Sequence, residues 1–266
     1  RFGGIDRRMI DISPDGTHLV YVASGRLYLR AMADHDAKEI QGTDGYQAVK
    51  NPVFSPDGRS VAFHAASDQT LKKIAVTGGA AVTICPSDLP FGMSWGPDGI
   101  VFAQRSKGIS RVSPDGGTPD VLVDPKDGEV SESPQMLPGG QYVLFTLATG
   151  TAVNRWDSAH AVVQSIATGE RKTIVAGADA RYLATGHLVY AVGGSVSAVP
   201  FDAQRLAVTG SPVLVVAGVM RASAPSGAAD FSISRNGTLI YVPGTSSLSS
   251  GHSQLGLTDR KGKMEL

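Results

Sequence analysis

Ser13-Pro14-Asp15-Gly16 recurs as Ser55-Pro56-Asp57-Gly58 and, with one substitution, as Gly96-Pro97-Asp98-Gly99. The copies begin 42 and 41 residues apart, and Leu137-Pro138-Gly139-Gly140 follows after another 41. Two weaker copies continue the series, Ala184-Thr185-Gly186 and Ser234-Arg235-Asn236-Gly237. An apolar residue stands just before each anchor (Ile12, Phe54, Trp95, Met136, Leu183, Ile233). A β-rich run follows each, such as Leu19-Val20-Tyr21-Val22 or Val143-Leu144-Phe145. Pro presets φ for a turn, Asp bonds back to its own backbone, and Gly accepts the positive φ that closes it. Each anchor therefore reads as the tight turn joining two antiparallel strands.

Two further strands complete each unit: Arg26–Met32 and Lys38–Gln41 in the first, Leu71–Val76 and Ala81–Cys85 in the second. The out-of-phase Ser113-Pro114-Asp115-Gly116 fits the turn between third and fourth strands of unit three. Gly78-Gly79 and Thr168-Gly169 take that place in units two and four. Four short strands per ~42 residues, six times over, is the signature of a β-propeller. The expectation is an all-β, six-bladed β-propeller with four-stranded antiparallel blades, one domain over residues 1–266. Its blades lie near 9–50, 51–91, 92–132, 133–179, 180–229 and 230–266. Within residues 1–8, Arg1–Ile5 are available as a closing strand. The last blade draws on Asp230–Ile233, Leu239–Val242, Gln254–Thr258 and Met264–Leu266. A helical fold is excluded because Gly or Pro interrupts every ten residues or so. An outer-membrane barrel needs strands of ~9–11 residues and aromatic girdles, and only 6% of this chain is aromatic.

Composition narrows the partners. Lys and Arg number 24 against 24 Asp and Glu, which removes the electrostatic argument for nucleic acid. The longest apolar run, Pro212 to Met220, is less than half of the ~20 residues a membrane helix needs, so no membrane insertion is expected. One cysteine, Cys85, leaves no intrachain disulfide framework and no cysteine-based zinc site. The six histidines have no ligand spacing, so no metal and no cofactor is expected. Gly251-His252-Ser253-Gln254-Leu255 approaches a nucleophile elbow, but Leu255 replaces the last Gly and no strand–turn–helix context surrounds it.

The phrase Ile12-Ser-Pro-Asp-Gly, then Leu19-Val-Tyr-Val, resembles the WD40-like (PD40) repeat of TolB. The stretches Asn51 to Gly58, Leu71 to Gly79 and Met93 to Gly99 are similar to TolB-type propellers that follow soil-bacterial serine/threonine kinase domains. The resemblance implies a place in the periplasm or otherwise outside the cytoplasm and a natural chain that continues beyond this one, and repeats of this type serve binding, scaffolding and catalytic proteins alike. It specifies fold more than activity, since one fold hosts many functions.

Counting back from each anchor gives the positions at one mouth of the channel. These differ from blade to blade while their apolar neighbours recur, as a binding surface allows and a packing surface does not. Arg8, Lys50, Asn51, Glu132, Asp179, Arg181 and Asp230 are expected to form a mixed-charge rim there, with the Ser-Pro-Asp-Gly turns on the opposite face. The unit-four connection adds Arg155, Trp156 and Asp157, where the ring either stacks on a ligand or tucks against a blade. The expected function is non-catalytic binding of a protein segment or small polar ligand at this mouth. The alternative is a propeller enzyme (carbohydrate lyase, glycosidase or lactonase-like hydrolase) using Glu132 with Asp179 or Asp230 as an acid–base pair.

Overall fold

The turn chemistry read from the anchors is present in the computed structural model. The Ser13 hydroxyl donates to Asp15 Oδ1 at 2.6 Å and accepts the N–H groups of Thr17 and His18. Gly16 N–H closes onto the Ser13 carbonyl at 2.8 Å with a φ of +74°, which a Cβ would disfavour. The Ser13 hydroxyl, with the Thr17 N–H and hydroxyl, holds the Asp15 carboxyl down at about 2. One repeat later the Ser55 hydroxyl donates to Asp57 and accepts Ser60 N–H, Asp57 accepts Arg59 N–H, and Gly58 N–H closes onto the Ser55 carbonyl. These aspartates are consumed by their own turns.

The structure describes residues 6–46, 48–152, 154–222 and 225–244, with the backbone of 256–258 and 264–265. Each turn joins the innermost strand of an antiparallel sheet to the next strand out, and the sheets are simple meanders. Five blades are complete. They begin at Ile10–Ile12, Val49–Phe54, Met93–Gly96, Glu129–Met136 and Ala178–Leu183 and run outward in chain order. In blade five the long third strand, Ser195–Asp202, is partnered by two short ones, Ala207–Val208 and Val213–Ala217.

The last sheet is abbreviated: Phe231–Ile233, Leu239–Tyr241, Gly256–Thr258 and Met264–Glu265, none longer than three residues. Six equivalent blades are therefore corrected to five full blades and this shortened sheet. Beside these short strands the described residues make only the isolated bridges Val219↔Pro243 and Arg221↔Ala229. The suggested closing strand Arg1–Ile5, residues 245–253 of the unit-six connection, and Gln254, Leu255 and Leu266 lie outside the described residues.

Apolar side chains fill the space between neighbouring sheets. Val22, Leu27 and Ile40 of blade one meet Val61 and Phe63 of blade two. Leu144 and Val163 of blade four meet Leu188 and Phe201 of blade five. The shortened sheet packs on both sides, with Phe231 and Tyr241 against Val189 and Val196, and Ile240 against Ile10 and Leu19. Each such side chain contributes roughly 1.5–3 kcal/mol on burial. These layers fix the innermost strands around a central channel.

Candidate functional site

The innermost strands carry a feature with no sequence signature. Ladder register shifts between Lys50 and Val53, between Glu132 and Gln135, and between Ala178 and Arg181. At these bulges Asn51, Ser133 and Asp179 take φ of +52°, +50° and +51°. For non-glycine residues this costs on the order of 1–2 kcal/mol each. Tertiary bonds offset it: Asn51 N–H donates to the Arg8 carbonyl at 3.2 Å and Ser133 N–H to the Phe91 carbonyl at 2.7 Å. Gly92 occupies the same place in blade three, where a Cβ would sit 2.9 Å from the Ser133 backbone. Bulges re-aim side chains, and here they turn a set of polar groups toward the channel axis.

The carboxylates so placed are sealed. Residues 225–229 lie against them. Gly227 N–H donates to Glu132 Oε2 at 2.8 Å and Ala229 N–H to Asp179 Oδ2 at 2.9 Å. Asp230 Oδ1 accepts Met9 N–H at 2.8 Å. The Pro225 carbonyl accepts from Trp156 Nε1 and an Arg155 guanidinium nitrogen, each at 2.9 Å. Gly227 is required by contact: a Cβ would meet the Trp156 ring at 2.8 Å and Glu132 Oε2 at 2.9 Å. Glu132, Asp179 and Asp230 have no solvent exposure at all.

Burial sets their charges. It pushes the Glu132 carboxyl up to about 8, with Asp179 adding to the effect, and the Asp230 carboxyl up to about 7. Burial would raise Asp179 as well, but Arg8, Arg181 and the Ala229 N–H outweigh it and hold this carboxyl at about 2. Arg8 Nη2 lies 2.6 Å from Asp179 Oδ1, and Arg181 Nη2 is 3.3 Å from the same oxygen. Two guanidiniums thus share one ionised carboxylate.

Above this layer the channel opens the other way. A cavity of about 780 Å³ runs from Arg8, Ser133 and Arg181 at its floor to Pro14, Pro56, Asp98 and Gly140 at the anchor turns. Its wall is built from the residue two places before each anchor: Asp11, Val53, Ser94, Gln135, Tyr182 and Ser232. Several brace the neighbouring blade. Asp11 accepts Phe54 N–H at 2.8 Å and the Ser232 hydroxyl at 2.6 Å, and Gln135 bonds both backbone groups of Tyr182.

This architecture can be set beside solved structures. A putative TolB from Agrobacterium tumefaciens superposes with a TM-score of 0.61 at 17% identity, over 78% of this chain and 79% of that one. TolB from Acinetobacter baumannii gives 0.55 at 17% identity over 74% of this chain, which spans about half of that protein (52%). The fold is that of a TolB-type β-propeller. A manganese-bound oligogalacturonate lyase shares it, with a TM-score of 0.59 at 12% identity over 96% of this chain and 77% of that one. No protein-family model matches the sequence, and no curated relative matches it either.

In this TolB-type propeller the expected rim is a buried layer and not a solvated funnel. Arg8, Asn51, Glu132, Asp179 and Asp230 are buried together, with Arg181 beside them. Lys50 pairs with Asp6 at the edge of that layer. Arg155 and Trp156 stand on a short 3₁₀ turn, Arg155–Ser158, and are buried. Trp156 tucks against Phe91 at 6.4 Å between ring centroids, and the Arg7 guanidinium caps Phe91 at 4.2 Å. Asp157 remains exposed, 4.0 Å from Arg221. Of the ten expected residues only Arg8 and Arg181 line the cavity. Asp11, Ser94, Gln135, Tyr182 and Ser232 were missed, although the recurring position two before each anchor, polar in five of six units, was a readable signal. Among the described residues no helix is long and apolar enough to cross a membrane, and no group of three or more His, Cys, Asp or Glu is placed to hold a metal ion.

Proposed function

We propose that this chain is a non-catalytic binding module whose ligand, a protein segment or a small polar molecule, enters the central cavity from the face of the anchor turns. One observation carries the reading. The cavity wall sets Asp11, Ser94, Gln135, Tyr182 and Ser232 among apolar residues, while the carboxylates able to do acid–base work lie behind it, accepting backbone N–H groups of residues 227, 229 and 9. A group held in that way has no path to a substrate. The same reading takes the shortened last sheet as a sixth blade completing the ring. By resemblance it places the chain outside the cytoplasm, with kinase-linked propellers as analogues.

The convergence of Glu132, Asp179 and Asp230, on a fold shared with a lyase, favours catalysis as the second reading. It requires residues 225–229 to move off these carboxylates. A chemical block separates the two. Cys85 is buried and its thiol is pushed up to about 11 by burial, so it resists maleimides. Ser94→Cys, placed in the cavity wall, is then the reactive thiol to modify with a bulky maleimide. In a thermal-shift screen of sugars, carboxylic acids and short peptides, ligands of the unmodified variant are expected to raise Tm, at about 2.7 kcal/mol for a hundredfold excess over Kd. The labelled form should lose every such shift. Shifts that survive labelling, or turnover of a screened sugar that Glu132→Gln abolishes, would overturn the binding reading.

A further inference from the structure

The cavity floor is not chemically neutral ground. Arg8 and Arg181 both line it, whereas the carboxylate they share, Asp179, lies wholly behind them and does not. That carboxylate has little left to offer: Oδ1 takes Arg8 at 2.6 Å, and Oδ2 takes the Ala229 N–H at 2.9 Å. Arg181 reaches it only at 3.3–3.4 Å. Arg8 Nε is buried with no hydrogen-bond partner among the described residues. The Arg181 guanidinium rests 4.0 Å over the Phe231 ring, which covers one face and leaves its edge for a partner. Burial and the neighbouring Arg8 lower Arg181 only to about 10, so both stay cationic near neutrality.

Of the other charged lining residues, Asp98 and Arg235 belong to the anchor turns, and Asp11, whose charge acts on both floor arginines, already accepts from Phe54 N–H and Ser232. Its charge disfavours a dianion such as phosphate. Above the floor, Met93, Trp95, Met136 and Leu183 supply apolar and aromatic wall. Guanidinium edges match the two oxygens of a carboxylate.

We propose that the floor of this cavity is a carboxylate site, formed by Arg8 and Arg181, for a ligand that carries one carboxylate on an apolar or aromatic body. The carboxylate belongs either to a small acid or to the C-terminus of an inserted peptide. The inference rests on the cavity being a binding site and adds the chemistry it selects.

Trp95 lines the cavity and Trp156 does not, so Trp95 fluorescence reports occupancy, with Trp95→Phe as the signal control. The probes are phenylacetate and phenylacetamide, and a short peptide ending in phenylalanine with a free or an amidated C-terminus. Each acid is expected to bind at least about tenfold more tightly than its amide. Arg181→Gln should remove that preference, and Arg181→Lys, which keeps the charge, should retain part of it. Tighter binding by phenylacetate or by the free peptide identifies the source, and either outcome supports the site. Acids and amides binding equally would overturn the carboxylate assignment and leave the cavity a binding site. Quenching by none of the four probes at millimolar concentration would overturn both.

Discussion

Replacing Asp179 by Ala is expected to lower stability by about 3–5 kcal/mol, the usual cost of leaving a buried charge without its partner. The loss is large because one side chain compensates two. Without it, Arg8 and Arg181 face each other in the interior, and the Ala229 N–H loses its acceptor. At roughly 2–4 °C per kcal/mol for a chain of this size, Tm should fall by on the order of 10 °C. Asp179→Asn, which keeps an acceptor but not the charge, should fall part of the way. Arg181→Gln should cost much less, since Arg8 still neutralises the carboxylate at 2.6 Å. A change of less than about 1 kcal/mol for Asp179→Ala, within the range of ordinary surface substitutions, would contradict a buried charge cluster at the base of the channel.

The second large effect depends on pH. The Glu132 carboxyl is pushed up to about 8 in the folded chain, from 4.5 when exposed. Between those values the folded state keeps a proton that the unfolded state has released, so unfolding is favoured as pH rises. Wild type should therefore lose stability relative to Glu132→Gln from about pH 4.5 to about pH 8 and change little beyond. Glutamine keeps an oxygen for the Gly227 N–H and carries no charge to desolvate. Urea unfolding at pH 5 and pH 8.5 is expected to show the variant gaining on wild type by on the order of 3 kcal/mol. His64, whose pKa burial lowers, is present in both proteins, so its contribution cancels in the difference. A difference independent of pH would show that Glu132 is ionised and solvated in the folded chain.

The blade architecture was legible because its cause is local. Ser13, Asp15 and Gly16 close their turn with bonds spanning two to five residues, so four letters carry the whole interaction. The sealed mouth was not legible, because its bonds are remote. Gly227 meets Glu132 across 95 positions and Ala229 meets Asp179 across 50. The stretch from Pro225 to Ala229 has no composition that announces such partners. The positive φ at these bulges was only partly hidden: Gly92, Asn51 and Asp179 are of types that accept it, and Ser133 is not. Trp156 was correctly placed on a mouth connection, but the choice between ligand and packing depended on Phe91 and Gly227, which the sequence does not bring near it.

The face of the molecule was the consequential difference. Blade-to-blade variation marked Arg8, Asn51, Glu132, Asp179 and Asp230 as an exposed rim, and the structure buries them. Variation also follows when each position meets a different remote partner, which is what the buried layer does. The turns assigned to the far face frame the open cavity, with Asp98 and Gly140 at its edge.

The central claim is that the channel is open at the anchor turns and closed at the carboxylates, and thiol accessibility tests it most directly. Ser94→Cys lies in the cavity wall, and Ser226→Cys lies in the sealing segment, where the serine has no exposure. Under native conditions the cysteine at 94 is expected to react with a small maleimide at a rate approaching that of the unfolded chain. The cysteine at 226 should stay protected until denaturant is added. Fast labelling at 226 with protection at 94 would contradict the account and return the site to the opposite mouth.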